Sequence, residues 1–405
     1  SFMRMGIDGR WASPYVTMSP GYEATITREF ARLVRCGGVV RGLRPVTWCS
    51  RCVTSVADAE VEYETVESPS IYLRFSVASK NGLLGADTGL VIWTPTPWTL
   101  PANRAVCVHP ELDYVVLALA SGGAVVAEAL VDQFLAAIGQ VGEVVARHRG
   151  KELEGLLLNH PFMGIEVPVI LADHVTIEAG TGCVHTAPGH GEDDFQIGKK
   201  YGLEVAVPVD RYGRFTEEAG PYNGLKVRVA NSQIMADCAA SGHLLNSVDD
   251  TIQHSYPHHS RCGTALIYRA TEQWFLSMDH ADLRARCLTA IAAVDWLPSW
   301  GEKRISAMME ARPDWCLSRQ RLWGVPIPVF HCSRCAAVLV EPKWMDHLAD
   351  LFEQNSSDIW YEWAVVDLLP EDAGCSHCGS DELERSSDIL DVWFDSGVSY
   401  VAAGF

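Results

Sequence analysis

The sequence contains no long apolar run and no excess of positive charge. No stretch of about 18 consecutive apolar residues occurs, so no membrane span is predicted. Lysine and arginine number 32 against 51 aspartate and glutamate residues, which gives a formal charge of −19. This balance excludes a general basic coat for nucleic acid, and any RNA contact must therefore be confined to a local patch or a pocket.

A secretion signal is also missing, and the cysteines do not suggest a secreted protein. Residues 1–4 contain no apolar signal core, and we expect this chain to be the middle of a longer one. The 13 cysteines are odd in number, and several fall in C-x-x-C pairs. This pattern favours metal sites in a reducing compartment over disulfides, so we expect a cytoplasmic protein. With 405 residues, 48% of them hydrophobic, two or three folded domains are predicted.

Hydrophobic periodicity divides the chain into helical and strand-rich parts. Between residues 68 and 252, short β-rich runs separated by turn residues predict a strand-rich module. The predicted strands are 90–93, 105–108, 114–119, 167–171 and 205–209, and a further buried strand is predicted at 389–394. The predicted helices are 22–34, ending at Gly37-Gly38, then 125–138, 192–201, 231–240, 282–293 and 302–311. A β-rich module between α/β pieces suggests an insertion into a larger domain.

Two C-x-x-C pairs about forty residues apart predict a zinc site. Each pair can place two thiolates on one ion, and two pairs complete a tetrahedral Zn²⁺ site. The alternative is a coincidental pairing of buried thiols, which the matched spacing disfavours. The predicted ligands are Cys332, Cys335, Cys375 and Cys378.

A second set of metal ligands is split across the strand-rich module. Cys49-x-x-Cys52 lies before the module and His259-x-x-Cys262 lies after it, so the four side chains would form a Cys₃His zinc site at its neck. The alternative is that His259 belongs to a solvated surface, because it follows another histidine. A redox role is disfavoured, since no C-x-x-C pair opens a helix in a thioredoxin-like context.

Two segments carry polar side chains that could act together. Segment 93–103 (Trp-Thr-Pro-Thr-Pro-Trp-Thr-Leu-Pro-Ala-Asn) puts hydroxyls and an amide at the end of a predicted strand. Segment 180–195 combines a strand, a tight Gly/Pro turn and a helix start with three carboxylates. Each segment alone has a structural explanation, because acids offset a helix dipole and threonine favours strands. Together, His185, His190, Asp194 and the threonines predict one polar pocket.

These two segments resemble the editing-site motifs of the isoleucyl-tRNA synthetases, which are class I enzymes. Further motif matches extend the resemblance over nearly the whole chain, at 44–49, 268–275, 312–324 and 390–397. The related valine and leucine enzymes usually carry arginine near the third threonine and lack the Val-His-Thr-Ala-Pro string. Thr96, Trp98 and His185 therefore favour the isoleucine enzymes.

The resemblance implies an α/β fold, in which parts of a Rossmann-type class I synthetase catalytic domain carry an inserted β-rich editing domain and zinc-binding insertions. The implied domains are a catalytic segment with a zinc stalk (1–67), the editing domain (68–252), a return stalk with a catalytic segment (253–330), a zinc-binding insertion (331–385) and a catalytic strand segment (386–405).

The resemblance also implies a reaction, the hydrolysis of valyl-tRNA(Ile). Valine lacks one methylene of isoleucine, which supplies only about 1–3 kcal/mol of discrimination, a figure for which this enzyme family is itself the standard example. In this comparison, Asp194 holds the substrate's α-ammonium group and His185 blocks the larger side chain. The residues expected to orient the ribose, carbonyl or attacking water are Thr94, Thr96 and Asn103. Those expected to bind substrate are Trp98 and His190 here, and Trp323 and Trp393 in the catalytic core.

The resemblance further implies tRNA(Ile), isoleucine and valine as partners of a monomeric enzyme with two structural zinc ions. ATP with Mg²⁺ belongs to the full-length enzyme only, which charges tRNA(Ile) with isoleucine. The ATP-binding signatures His-x-Gly-His and Lys-Met-Ser-Lys-Ser are absent from this sequence. We therefore expect this chain to edit but not to aminoacylate.

Two alternatives remain open from the sequence. The family usually has three successive threonines, but the middle position here is Pro95, which lacks both a hydroxyl and a backbone N–H. This substitution supports a zinc-stabilised tRNA-binding module with an inactive hydrolytic site. The other alternative is an editing fragment of the valine or leucine enzyme.

Overall fold

The computed structural model describes residues 2–78, 83–85 and 87–404, which form two compact units. The first unit comprises Ser1–Gly42 and Glu272–Phe405, and the second comprises Leu43–Thr271. The helices are α1 Pro20–Arg35, α2 Val131–Ile138, α3 Glu192–Tyr201, α4 Val227–Ala240, α5 Leu283–Ala292, α6 Trp300–Ala311, α7 Pro342–Asn355, α8 Ile359–Glu362, α9 Val392–Gly397 and α10 Ser399–Ala402.

The strands are mostly short and concentrate in the second unit. They are β1 Val39–Cys49, β2 Thr54–Ser55, β3 Val61–Pro69, β4 Ile71–Val77, β5 Thr88–Thr94, β6 Ala105–Val108, β7 Asp113–Leu119, β8 Gly122–Ala127, β9 Glu143–Arg149, β10 Leu157–Asn159, β11 Glu166–Leu171, β12 Cys183–Thr186, β13 Thr251–His259, β14 Ile267–Leu276, β15 Trp315–Cys316, β16 Ser318–Arg319, β17 Phe330–Cys332, β18 Val338–Leu339, β19 Leu383–Arg385 and β20 Ile389–Leu390. The chain passes between the two units within β1 and β14. The mixed α/β class predicted from the sequence is confirmed.

A nine-stranded mixed sheet forms the centre of the second unit. Its strand order is β12-β6-β11-β10-β4-β5-β8-β7-β9, so β12 and β9 are the two edges. Valine, isoleucine and leucine dominate the inner strands, and their side chains are buried between the sheet and the helices α2 and α3. Strand β12 pairs antiparallel with β6, in a register that places His185 opposite Val106. This edge of the sheet carries the second of the two polar segments.

A long two-stranded ribbon also belongs to the second unit. Strands β3 and β13 pair antiparallel over nine residues, from Thr251 opposite Pro69 to His259 opposite Val61. The ribbon brings the chain back to its starting point, because β13 ends where β3 begins. Two chain segments that are distant in sequence therefore meet at its base.

The first unit is built around two packed helices and several small sheets. Helix α1 begins with Pro20 at its first position and ends before Gly37, whose φ of 79° suits glycine. It packs against α7, with Phe30 and Trp360 fully buried in two neighbouring apolar clusters. The small sheet β18-β17-β19 lies over the cluster that contains Trp360.

Most predicted elements are confirmed, and three differ. Residues 205–209 form no strand; only Val209 makes an isolated bridge, since Pro208 cannot donate to a ladder. The helix predicted at 125–138 begins only at Val131, because the residues before it complete strand β8 and a short 3₁₀ turn. The strand predicted at 389–394 stops at Leu390, where the Asp391 carboxylate accepts the Trp393 N–H and starts helix α9.

Among the described helices, none combines the length and apolar character that crossing a membrane requires. The predicted domain boundaries stay a prediction. The segment 68–252 lies wholly inside the second unit.

Candidate functional site

The two polar segments meet in a pocket of about 240 Å³ in the second unit. Four elements contribute to it: the end of β5, the 3₁₀ helix Pro97–Ala102 that follows, strand β12 and the start of α3. The lining residues are Trp93, Thr94, Thr96, Thr99, Val184, His185, Ala187, His190 and Asp194. Five of the predicted site residues are therefore gathered in one place.

The threonine segment turns sharply at Pro95. The Thr94 hydroxyl accepts the Thr96 N–H at 3.1 Å, and the two hydroxyl oxygens lie 3.2 Å apart. Both threonines line the pocket, whereas Pro95 does not. The absence of a hydroxyl at Pro95 therefore removes no group from the pocket lining.

His185 is fixed by hydrogen bonds at both ring nitrogens. Asn103 Nδ2 lies 2.9 Å from the Ala105 carbonyl and 2.6 Å from His185 Nδ1. Because a carbonyl only accepts, the Asn103 amide donates to both, and His185 Nδ1 is the acceptor. His185 Nε2 then carries the proton and donates to Thr99 Oγ1 at 2.9 Å, while Thr99 donates to the Thr96 carbonyl at 2.9 Å. This network selects one neutral tautomer and one ring orientation.

The electrostatics of the pocket keep this imidazole neutral. Burial lowers the pKa of His185 to about 3, with a further contribution from the neighbouring His160 and His190. At neutral pH the ring therefore presents a rigid, uncharged surface. Such a surface can limit the size of a bound side chain without repelling a cation.

Asp194 stands in the first turn of α3 and faces the pocket. Its Oδ2 accepts the backbone N–H of Ala187 at 2.9 Å, which holds the carboxylate against the turn that follows β12. Burial raises the pKa of Asp194, and the bond from Ala187 opposes that rise. A cation bound beside the carboxylate would offset its desolvation, so the site suits an ammonium group.

His190 is held from the opposite side. Its Nδ1 donates to the Tyr268 carbonyl at 2.8 Å, and burial lowers its pKa to about 4. The buried Nε2 makes no hydrogen bond with any described residue. This nitrogen is a fixed acceptor at the pocket wall, suited to a hydroxyl or a water.

The remaining predicted site residues lie elsewhere. Trp98 is buried behind His190, with ring centroids 5.1 Å apart at a steep angle, and it supports the histidine without lining the pocket. Asn103 is fully buried and acts through His185. Trp323 and Trp393 belong to the first unit, where they are 79% and 50% exposed.

Sequence reasoning missed several residues of the pocket. Thr99 belongs to the threonine segment, and no role for it follows from the sequence. Its position three residues after Thr96 in a 3₁₀ helix places Thr96 and Thr99 on the same side of that helix. His160 gave no sequence signal, being far from both segments. Its Nε2 donates to the Leu100 carbonyl at 3.0 Å, and its Nδ1 accepts the N–H of Met163, so it anchors the helix that carries Thr99. The other unassigned lining residues are Trp93, Val184 and Ala187.

The four-cysteine cluster (Cys332, Cys335, Cys375, Cys378) has the geometry of a tetrahedral metal site. Its ligand atoms all lie within 4.8 Å of one another. The Sγ atoms of Cys332 and Cys378, and those of Cys335 and Cys375, are 3.6 Å apart. Zinc–sulfur bonds of about 2.3 Å give tetrahedral edges of about 3.8 Å, so the arrangement fits Zn²⁺.

The cysteine–histidine cluster (Cys49, Cys52, His259, Cys262) gathers at the base of the β3–β13 ribbon. The Cys49 and Cys262 sulfurs are 3.6 Å apart, and His259 Nδ1 lies 3.4 Å from the Cys262 sulfur. His259 is buried, which excludes the interpretation that it is a solvated surface residue.

All four ligand pairs share one backbone turn. In each, the residue four places after the first ligand donates its N–H back to that ligand's carbonyl, as Gly263 does to His259 at 2.8 Å. That residue has a positive φ in every case: Val53, Gly263, Ala336 and Gly379. His259 therefore occupies the position that cysteine holds in the other three turns.

Comparison of the sequence with known proteins identifies its family. The chain belongs to the class I tRNA synthetases, the family of the isoleucine, leucine, methionine and valine enzymes, whose model matches residues 1–404. It is 48% identical over 401 residues to an isoleucine–tRNA ligase of Carboxydothermus hydrogenoformans, covering 99% of this chain and 43% of that protein. It is 49% identical to one of Fervidobacterium pennivorans, with 99% and 43% covered. The chain thus spans less than half the length of these curated relatives.

One solved structure, GlLeuRS-CP1, aligns with 44% of this chain and 98% of its own, at 14% identity and a TM-score of 0.36. A similarity of this size carries no argument about function.

Proposed function

We propose that this chain is the part of an isoleucine–tRNA ligase that edits, by hydrolysing valine from mischarged tRNA(Ile). The supporting observation is the pairing, in one small pocket, of a carboxylate suited to an ammonium with a neutral imidazole fixed at both nitrogens. The first feature recognises any aminoacyl ester. The second limits the size of its side chain.

Hydrolysis would begin with alignment of the ester. Asp194 accepts the α-ammonium group, an electrostatic contact strengthened by its partial burial. The paired hydroxyls of Thr94 and Thr96 line the same pocket and can donate to the ester carbonyl or the ribose. Water then attacks the carbonyl carbon, the bond to the ribose oxygen breaks, and that oxygen takes the proton. No covalent enzyme intermediate is needed, and positioning supplies most of the rate gain.

Selectivity would come from His185. Isoleucyl and valyl esters carry the same ammonium, so only side-chain volume separates them. The imidazole cannot turn aside without breaking its bonds to Asn103 and Thr99. A rigid wall excludes the extra methylene of isoleucine by steric clash. A site that discriminated only through favourable contacts with that methylene would obtain at most about 1–3 kcal/mol of discrimination.

We propose structural zinc in both ligand clusters, since four protein ligands leave no open position for water. The ions would close the base of the β3–β13 ribbon and join β17 to the 375–378 turn. Zinc supplies no step of the hydrolysis.

In the full-length protein, we propose ATP- and Mg²⁺-dependent charging of tRNA(Ile) with isoleucine, in the cytoplasm and by a monomer. Trp323 and Trp393 then belong to the amino acid site of the catalytic domain. The domain boundaries at 67, 252, 330 and 385 are part of this proposal.

The test is deacylation of purified valyl-tRNA(Ile), isoleucyl-tRNA(Ile) and threonyl-tRNA(Val) by this chain. Rapid loss of valine with isoleucine retained supports the proposal. Preference for the threonyl or a leucyl ester would assign the chain to the valine or leucine enzyme instead.

A second candidate is a tRNA-binding module whose hydrolytic site is inactive, which Pro95 favoured in the sequence. We favour the hydrolytic function over it, because Pro95 lies outside the pocket lining and both flanking hydroxyls are in place. Binding of tRNA without any ester hydrolysis in the same assay would establish it.

A further inference from the structure

A basic surface lies beside the pocket in a chain that is otherwise strongly acidic. Its members, named here the arginine track, are Arg211, Arg214, Lys226, Arg228 and Arg269. All but Arg269 are exposed. Among the described residues, none of the five forms an ion pair with a carboxylate. In a chain with a formal charge of −19, these five cations form a local basic surface.

Contacts connect Arg269 with Arg211 and Arg214 with Lys226, and the remaining members of the track are near neighbours in the sequence. The Arg269 guanidinium lies over the Trp48 ring at 5.5 Å, and the Trp48 indole donates to the Arg211 carbonyl at 2.8 Å. Arg214 then pairs across an antiparallel bridge with Lys226.

Aromatic rings hold three of the guanidinium groups. Besides the Arg269 contact, Arg211 lies 5.1 Å over Tyr212, and Arg228 lies 5.0 Å over Tyr256. A stacked guanidinium keeps its edge N–H groups free for an anion, and it loses less entropy on binding than a lysine does. Tyr212, about half exposed, adds a face on which a base can stack.

The carboxylate of Asp210, next to Arg211 in the sequence, is held by the local backbone, although its charge still acts on Arg269 and opposes the lowering of the Arg269 pKa by burial. Asp210 Oδ1 accepts the N–H groups of Tyr212 at 2.8 Å and Arg214 at 2.9 Å, so this acid serves the turn. Helix α4 then begins with Lys226 at its cap and Arg228 in its first turn, with no acidic residue there. Cations at the positive end of a helix are unfavourable by themselves, and an anion bound between them relieves that conflict.

The track ends at the pocket wall. The neighbours of Arg269 make two hydrogen bonds to the turn that carries His190. The Tyr268 carbonyl accepts from the His190 side chain at Nδ1, and the Ala270 N–H donates to the Gly189 carbonyl at 2.7 Å. Arg269 is also half-buried without a carboxylate partner, and its Nε donates to Val209 O at 2.8 Å. An anion at Arg269 would therefore lie next to the part of the pocket wall that His190 forms.

We propose that the arginine track binds the phosphates of the single-stranded RNA end whose terminal ribose enters the pocket. This proposal rests on the proposed function, since it assumes an RNA ester as the substrate. Phosphate contacts position a nucleic acid without reading its sequence, and stacking on aromatic rings is equally tolerant of base identity. The track therefore sets the affinity for RNA, and the pocket sets the choice of amino acid.

The test compares two substrates that share one ester. The double variant Arg214→Gln/Arg228→Gln removes two exposed cations and leaves the pocket lining untouched. We expect its KM for valyl-tRNA(Ile) to rise at least about tenfold, with kcat nearly unchanged, and hydrolysis of 2′(3′)-O-valyl-adenosine to stay at the wild-type rate. Its salt dependence should also weaken, by about 0.7 in the log–log slope for each lost phosphate contact.

The matched control is Arg147→Gln/Lys151→Gln, which makes the same change in charge at strand β9 and just beyond it. Strand β9 is the sheet edge opposite β12, and both residues are exposed. The control should bind and hydrolyse both substrates as the wild type does. If the control and track variants lose the same affinity for valyl-tRNA(Ile), the effect is one of net charge. If the track variant hydrolyses both substrates more slowly, these residues take part in the pocket itself. Either result overturns the proposal.

Filter binding of uncharged tRNA(Ile) separates this proposal from the proposed function. If the wild type hydrolyses neither ester, the proposed function fails, while tenfold weaker tRNA binding by the track variant still supports the track. If the wild type and the track variant bind tRNA(Ile) equally, the proposal for the arginine track is wrong.

Discussion

At the scale of single residues, the proposed function assigns the selectivity of the pocket to His185. We predict that His185→Ala begins to hydrolyse isoleucyl-tRNA(Ile), because the space left by the imidazole admits the extra methylene. The ratio of valyl to isoleucyl hydrolysis should fall at least tenfold. The measurement is deacylation of both esters by the same preparation. An unchanged ratio with reduced stability would make His185 a core residue only.

The proposed function assigns to Asp194 the rate of ester hydrolysis and not the choice between the valyl and isoleucyl esters. Asp194→Ala removes a charge-assisted bond to the ammonium, worth about 1.5–3 kcal/mol, and should slow valyl-ester hydrolysis at least about tenfold. The valyl-to-isoleucyl ratio should not move, since both esters lose the same contact. Asp193→Ala is the control, because Asp193 shares the first helical turn but does not line the pocket. Equal slowing in the two variants would reduce both residues to helix-start charges.

Two buried histidines predict how stability depends on pH. Burial lowers the pKa of both His160 and His190 to about 4, below the usual value of 6.5 that the unfolded chain retains. Below pH 6.5 the unfolded state therefore binds more protons, so stability falls as the pH drops from 6.5 towards 4. At pH 5 the loss is about 2 kcal/mol for each histidine. Urea unfolding at pH 7 and pH 5 measures it, and His160→Gln should reduce the difference.

At the scale of elements, the zinc turns are independent of the pocket. Cys375→Ser removes one ligand of the four-cysteine cluster, which lies in the first unit, whereas the pocket lies in the second. We predict that zinc content falls from about two ions per chain to about one, with valyl-ester hydrolysis retained. Elemental analysis and deacylation of one sample decide the matter. Iron in place of zinc, or no metal in the wild type, contradicts the assignment.

The sequence predicts an element well when the signals that define it are local, and poorly when a single side-chain hydrogen bond decides its type. Helix α1 and the strands β5, β6, β7 and β11 follow local signals, namely caps, glycine stops and β-branched runs. The strand predicted at 389–394 is wrong beyond Leu390, because the apolar composition of this run suits a buried strand and a short helix equally. Only the Asp391 side chain, bonded to Trp393 N, decides between them.

The candidate site shows the same limit. Its motif residues were predictable because they cluster in two segments. The pairing of Thr99 and Asn103 with His185 depends on the register of β12 against β6, which is a contact between distant parts of the chain. His160 could not be found at all, since it acts on a backbone carbonyl, and such a contact leaves no side-chain pattern in the sequence.

For the whole molecule, we predict no isoleucine-dependent exchange of pyrophosphate into ATP. Activation requires groups that stabilise the charge of the triphosphate, and this sequence lacks both ATP signatures of the family. The assay should remain at background while valyl-ester hydrolysis proceeds. Exchange above background would show that the exposed Trp323 and Trp393 belong to a complete amino acid site.

The hydrogen bonds around His185 run in one direction, from the Asn103 amide through the imidazole to Thr99 and the Thr96 carbonyl. An isosteric exchange of Asn103 for aspartate would keep the volume and reverse the polarity of the first bond. The imidazole would then take up a second proton, and a cation would stand where the substrate ammonium must enter. The exchange would also remove the hydrogen bond from the Asn103 amide to the Ala105 carbonyl and bury a carboxylate, so we expect it to lower the stability of the protein as well. If the proposed function holds, the Asn103 variant should therefore hydrolyse the valyl ester more slowly than its loss of stability alone explains.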